Sequence, residues 1–126
     1  MKILIADENS MTRSALKIFL EHCGQKNSVT EVSDFRKLIE KIDKSAPEII
    51  FLDWDFLEDG TTEMINSINT VYPLIHLILI SNQKENRKEA LKVGNCKFLL
   101  RSDPPKKITE MINELNLKKN IKNNPG

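Results

Sequence analysis

The sequence predicts an α/β fold, a doubly wound parallel sheet with helices on both faces. Five short apolar runs each stop at a polar or charged residue, and five segments with helical periodicity alternate with them. Parallel strands need helical crossovers, so this alternation selects a parallel sheet over a meander.

The first run, Ile3 to Ala6, ends in Asp7-Glu8-Asn9-Ser10, a polar cluster that turns the chain and can cap a helix. Met11, Ala15, Leu16, Ile18, Phe19 and Leu20 recur behind it at helical spacing, and Gly24 stands where a left-handed stop is expected. Val29 to Val32 is a weaker second strand. Ser33 or Asp34 caps a helix whose inward face is Phe35, Leu38, Ile39 and Ile42, and Pro47 closes that connection. Ile49 to Leu52 stops at Asp53, and Gly60, Thr61 and Thr62 lead into a helix carrying Met64, Ile65 and Ile68. Leu74 to Ile80 ends at Ser81, a helix covers Lys84 to Val93 with Gly94 as its stop, and Phe98 to Leu100 ends at Arg101. A last helix follows Pro104-Pro105. After Leu117 the composition turns basic and turn-rich, which predicts one domain over 1–117 and a flexible basic tail or linker over 118–126.

The 126 residues are 40% hydrophobic and 29% charged, the balance of an ordinary globular fold, and this excludes disorder throughout. Nineteen Lys and Arg against eighteen Asp and Glu leave a formal net charge of +1, so no global field holds nucleic acid or an acidic membrane. The longest apolar run falls far short of the roughly 20 residues that span a bilayer. Met1 to Ala6 is too short and too soon acidic for a secretory signal, and the expected location is cytoplasmic. Cys23 and Cys96 have no metal-ligand spacing and read as two reduced, buried thiols. His22 and His76 read as structural, and Trp54 as either core or exposed.

In an open α/β sheet the ligand site lies beyond the carboxyl ends of the strands. The residues there are Asp7 and Glu8, Asp53 and Asp55, Ser81, and Arg101. Clustered carboxylates repel unless a proton or cation is shared among them. An all-oxygen set without His or Cys suits a hard cation such as Mg2+, which takes one or two carboxylates and keeps several waters. Asp53 is then a candidate nucleophile toward a phosphoryl group.

At these residues the chain resembles the receiver domain of two-component response regulators, from Lys2 to about Leu115. ILIADE is similar to the family's first strand with its acidic pair, IIFLD to its phosphoacceptor strand, LILIS to its hydroxyl strand and FLLR to its basic strand. The resemblance implies a flavodoxin-like five-stranded sheet in the order 2-1-3-4-5. It also implies that Asp53 accepts phosphate from a histidine kinase, phosphotransfer protein or small phosphodonor. Glu8 and Asp53 would ligate Mg2+ directly, Asp7 through water and Asp55 through its backbone carbonyl. Ser81 and Arg101 would meet the phosphoryl group, with Ser81 and Phe98 as the switch pair. It further implies a signalling domain, not a turnover enzyme, with a possible homodimer through the fourth and fifth helices and no nucleic-acid or membrane contact of its own. FLLRSDPPKKI is most similar to receivers joined to a helix-turn-helix output domain, hence to transcription regulation.

Three positions depart from the family pattern. Arg101 stands where Lys is usual, Glu8 stands for Asp, and the Asp53 to Gly60 loop lacks the usual Pro and is one residue short. Singly, Asp7, Asn9 or Ser10 can be a helix cap, Ser81 another, and Arg101 a surface charge. Their occurrence at four successive strand ends argues for one site. Competing readings are a receiver that takes no phosphate and acts as an interaction module, a Mg2+-dependent phosphohydrolase built on Asp53-Trp54-Asp55, and a flavin mononucleotide carrier. The phosphohydrolase order of motifs is reversed here, and Asp7-Glu8 would repel a flavin phosphate.

Overall fold

The computed structural model describes residues 1–23, 26–56, 61–93 and 95–123, with the backbone alone at 61 and 117–123. Its strands are β1 (Lys2–Ala6), β2 (Ser28–Val32), β3 (Ile49–Asp53), β4 (His76–Ser81) and β5 (Cys96–Leu100). The helices between and after them are α1 (Ser10–Glu21), α2 (Leu38–Ser45), α3 (Thr61–Val71), α4 (Arg87–Lys92) and α5 (Pro105–Asn123). All four strand pairings are parallel, as the alternation of runs and helices predicts, and the order is β2-β1-β3-β4-β5, as the resemblance implies.

Strand side chains alternate between faces, so the apolar runs feed two separate cores. Leu4, Ala6, Ile50, Leu52, Leu77, Leu79 and Phe98 pack with Leu38 and Ile42 of α2, Ile65 and Ile68 of α3 and Ala90 of α4. On the other face Ile3, Ile5, Ile49, Phe51, Ile78, Ile80 and Leu99 pack with Leu20 of α1 and Ile112 and Leu115 of α5. Fully burying one such side chain contributes about 1.5–3 kcal/mol, which is why both faces must be covered.

Several helix faces are narrower than their periodicity suggests. Met11 is 81% and Ile18 62% exposed, because α1 meets the sheet through Leu16, Phe19 and Leu20. The face assigned to Phe35, Leu38, Ile39 and Ile42 is corrected to Leu38 and Ile42. Phe35 lies in a 3-10 turn capped by Asp34, and with α2 only eight residues long both Phe35 and Ile39 stay substantially exposed. β4 begins at His76 and not at Leu74, since Pro73-Leu74 forms a turn that leaves Leu74 in solvent. Ala46 ends α2 in the left-handed region at φ 45°, where its N–H donates to Ile42 O at 2.9 Å.

Helical backbone continues to Asn123, beyond the point where the composition changes. The predicted stops at Gly24 and Gly94, Gly60 with the rest of the loop after Phe56, and the tail residues 124–126 lie outside the described residues. Cys23 and Cys96 are free thiols, Cys23 buried and Cys96 half-buried, correcting the expectation that both are buried. Among the described residues no helix is long and apolar enough to cross a membrane.

Candidate functional site

The parallel ladder delivers its strand ends to one edge, and two hydrogen bonds carry the pairing past the strands. Asp7 N donates to Val32 O at 3.2 Å and Arg101 N donates to Ser81 O at 2.9 Å. Asp7, Asp53, Ser81 and Arg101 therefore stand side by side at the ends of β1, β3, β4 and β5. Asp7 and Ser81 are two of the three buried polar side chains among the described residues.

Asp7 is held by the helix start behind it. Asn9 caps α1 by accepting from Thr12 N at 3.0 Å, and its own N–H donates to Asp7 Oδ1 at 2.9 Å. Of the capping candidates Asp7, Asn9 and Ser10, Asn9 takes that role. Arg13, one turn into α1, donates from Nη1 to Asp7 O at 2.7 Å and Glu8 O at 3.0 Å. Its Nε lies 3.4 Å from Glu31 Oε1 on β2. Arg13 thus pins the backbone of the acidic pair, a role the sequence reading missed, the available signal being an arginine one helical turn beyond a capping residue.

Arg101 reaches back across the sheet. Its Nη2 lies 2.9 Å from Asp7 Oδ2 and 2.8 Å from Asp53 Oδ1, so one nitrogen bridges both carboxylates. Burial opposes the charged guanidinium, but the two carboxylates outweigh it and raise the Arg101 pKa, keeping it cationic. Asp53 is also raised: burial and the neighbouring Asp7 charge outweigh the pull of Arg101. The pair is therefore attractive without cancelling the crowding of negative charge. Glu8 and Asp55 are exposed and line the same cavity of about 310 Å3 as Asp7, Asp53 and Arg101.

Ser81 accepts from Asn86 Nδ2 at 2.8 Å and Gln83 N at 3.0 Å, and donates to Gln83 O at 3.3 Å. The hydroxyl therefore shapes the turn before α4, Asn82 and not Ser81 lines the acidic cavity, and Asn86 and Gln83 are partners that the sequence reading did not name. Phe98 already packs inside the core beside Ala90 of α4. Trp54 is half-buried against the same core.

Among the described residues, no three His, Cys, Asp or Glu side chains converge as a metal-binding group. The donor chemistry still suits Mg2+, which uses one or two carboxylates and completes its shell with water. Asp53 with Glu8 beside it supplies that number, and the raised Asp53 pKa marks a site where added positive charge is favourable.

Sheet order and strand-end chemistry define the chain as a flavodoxin-like doubly wound domain with an acidic switch-point cleft. The response regulator receiver domain model matches residues 3–113, and the chain belongs to that family. It is 25% identical over 116 residues to the chemotaxis protein CheY of Thermotoga maritima, covering 90% of this chain and 96% of that protein. It is 20% identical over 124 residues to the sensory transduction protein LytR of Staphylococcus epidermidis, covering 98% of this chain but 49% of that protein. The chain thus spans about half the length of the LytR relative.

Among solved structures, a response regulator receiver domain protein from Clostridium thermocellum aligns with a TM-score of 0.81 at 21% identity, covering 95% of this chain and 98% of that one. The isolated receiver domain of RcsB from Salmonella enterica aligns with a TM-score of 0.81 at 20% identity, covering 92% and 88%. Both likenesses concern the fold.

Proposed function

We propose that this receiver accepts a phosphoryl group on Asp53 in a Mg2+-dependent reaction and thereby switches an interaction with a partner protein or an output domain. The observation that carries the reading is the Arg101 bridge to Asp7 and Asp53 beside Ser81, four strand ends converging on one carboxylate. The donor is a histidine kinase, a phosphotransfer protein or a small acyl phosphate. An Asp53 carboxylate oxygen forms the new bond to phosphorus as the bond from phosphorus to the donor's nitrogen or oxygen breaks, and the donor leaves with the electron pair.

Bound Mg2+ would supply positive charge against the charge developing on the phosphoryl oxygens. Glu8, Asp53 and the Asp55 carbonyl would hold it, with Asp7 acting through water. Ser81 would donate its hydroxyl proton to a phosphoryl oxygen and Arg101 would pair with another. Phe98, packed against α4, would carry the change to that helix. The group is later lost by hydrolysis, so the domain is a timer and not a turnover enzyme. We read 1–117 as the receiver, the segment from 118 as a tail or linker, and the location as cytoplasmic.

Incubation with acetyl phosphate and Mg2+ should add one acid-stable, base-labile phosphoryl group by intact mass, and Asp53→Asn should add none. Equal modification of both proteins would refute the assignment. The second reading, an interaction module that takes no phosphate, draws on the same bridge, because Arg101 already occupies Asp53. An unmodified wild type under conditions that phosphorylate another receiver would select it.

A further inference from the structure

We propose that Asn86 is a positioning residue for the phosphoryl transfer: its side-chain amide holds the Ser81 hydroxyl out of the acidic cleft, and the hydroxyl serves Asp53 only as that bond is given up. This rests on reading Asp53 as the phosphoacceptor.

Ser81 ends β4 one residue beyond Ile80, the register partner of Asp53, yet Asn82 and not Ser81 lines the acidic cavity. The Ser81 backbone is fixed, since its carbonyl accepts from Arg101 N at 2.9 Å. Side-chain rotation is therefore what brings the hydroxyl to the cleft, and its own hydrogen bonds oppose the rotation. The bond from Gln83 N at 3.0 Å spans two residues and belongs to the local turn. The bond from Asn86 Nδ2 is shorter, at 2.8 Å, and comes from the last residue of the 3-10 turn Lys84–Asn86. It joins the strand end to the residue directly before α4.

Asn86 makes this bond in place of another. An asparagine directly before a helix commonly accepts from a backbone N–H of the first turn, with its own backbone extended. Asn86 instead has right-handed helical backbone, φ −72° and ψ −13°, and its side chain makes no capping bond to α4. Holding Ser81 and capping α4 are thus alternatives for one carboxamide. With six residues α4 is the shortest α-helix among the described residues, so it gains the most from a cap. A hydroxyl drawn to phosphorylated Asp53 would release Asn86 to the start of α4.

The test is the initial rate of modification by acetyl phosphate and Mg2+, read by intact mass, in wild type, Asn86→Ala, Ser81→Ala and the double variant. Asn86→Ala should react about fivefold faster than wild type, the worth of one neutral hydrogen bond that no longer has to be exchanged. The same substitution should change nothing in the Ser81→Ala background, whereas a general loosening of the turn would act in both backgrounds alike. A second measurement needs no variant: the Asn86 side-chain amide signals in a 15N spectrum should shift on adding beryllofluoride and Mg2+. An Asn86→Ala rate equal to or below wild type, an equal gain without Ser81, or amide signals unmoved while Asp53 is occupied would overturn the role of Asn86 and leave Asp53 as acceptor. Absence of modification in all four proteins would overturn the acceptor reading, and the role of Asn86 with it.

Discussion

The Asn86 side-chain amide donates to Ser81 Oγ at 2.8 Å, tying the end of β4 to the 3-10 turn that leads into α4. With Gln83 N as second donor, both hydroxyl lone pairs are used, and the Ser81 proton rests on a long 3.3 Å contact to Gln83 O. Turning that proton toward a phosphoryl oxygen rotates the lone pairs with it, so it exchanges the bonds from Asn86 and Gln83 for the new one.

Ser81→Ala should therefore slow phosphorylation by about tenfold, the worth of one hydrogen bond, whereas chelating Mg2+ should cost far more. Asn86→Ala should leave Asp53 modifiable and lower stability by about 1 kcal/mol in urea unfolding. Time-resolved intact mass checks the rates. A Ser81→Ala loss as large as chelation would contradict this division of labour.

The raised Asp53 pKa has a definite consequence for stability. Its folded value lies above the ordinary 3.8, so the folded protein holds this proton more tightly than the unfolded chain. Stability from this group is greatest below 3.8, falls as pH rises through the window between 3.8 and the raised value, and stays lower above it. Asp53→Asn should melt higher than wild type at pH 7, with the gap closing as pH falls toward 3.8. Thermal melts across that range check it, and a variant less stable than wild type at pH 7 would contradict it.

The side of the molecule built from α4, β5 and α5 should take part in self-association. Leu91 of α4 is 54% exposed, and Lys97 Nζ meets Glu114 Oε1 at 3.2 Å on the same side. Beryllofluoride with Mg2+ should shift wild type toward a dimer in sedimentation, leave Asp53→Asn a monomer, and act more weakly on Leu91→Asp. An unchanged mass distribution in wild type would remove this face from the switch.

The parts of this architecture legible in the sequence are those fixed by local burial. A parallel strand covered on both faces is one apolar run, so Ile49 to Leu52 marks a central strand and Asp53 its end. Once strand ends are known, the switch-point rule brings Asp7, Asp53, Ser81 and Arg101 to one edge. Pairings made across the fold were not legible. Arg13 on the carbonyls of Asp7 and Glu8, Asn86 on Ser81, and Arg101 across two strands depend on where loops and helix starts come to rest. The exposure of Met11 and Ile18 has the same origin, because periodicity gives a helix its stripe but not how much of it the sheet covers.

Reductive trapping tests the phosphoacceptor most directly. Borohydride treatment of the acetyl-phosphate-modified protein reduces an acyl phosphate to the alcohol, converting the modified aspartate to homoserine, which peptide mapping then places. Homoserine at position 53 is the expected result, absent from untreated protein. Homoserine at Asp7 or Asp55, or none anywhere in protein that has gained a phosphoryl group, would contradict Asp53 as the acceptor.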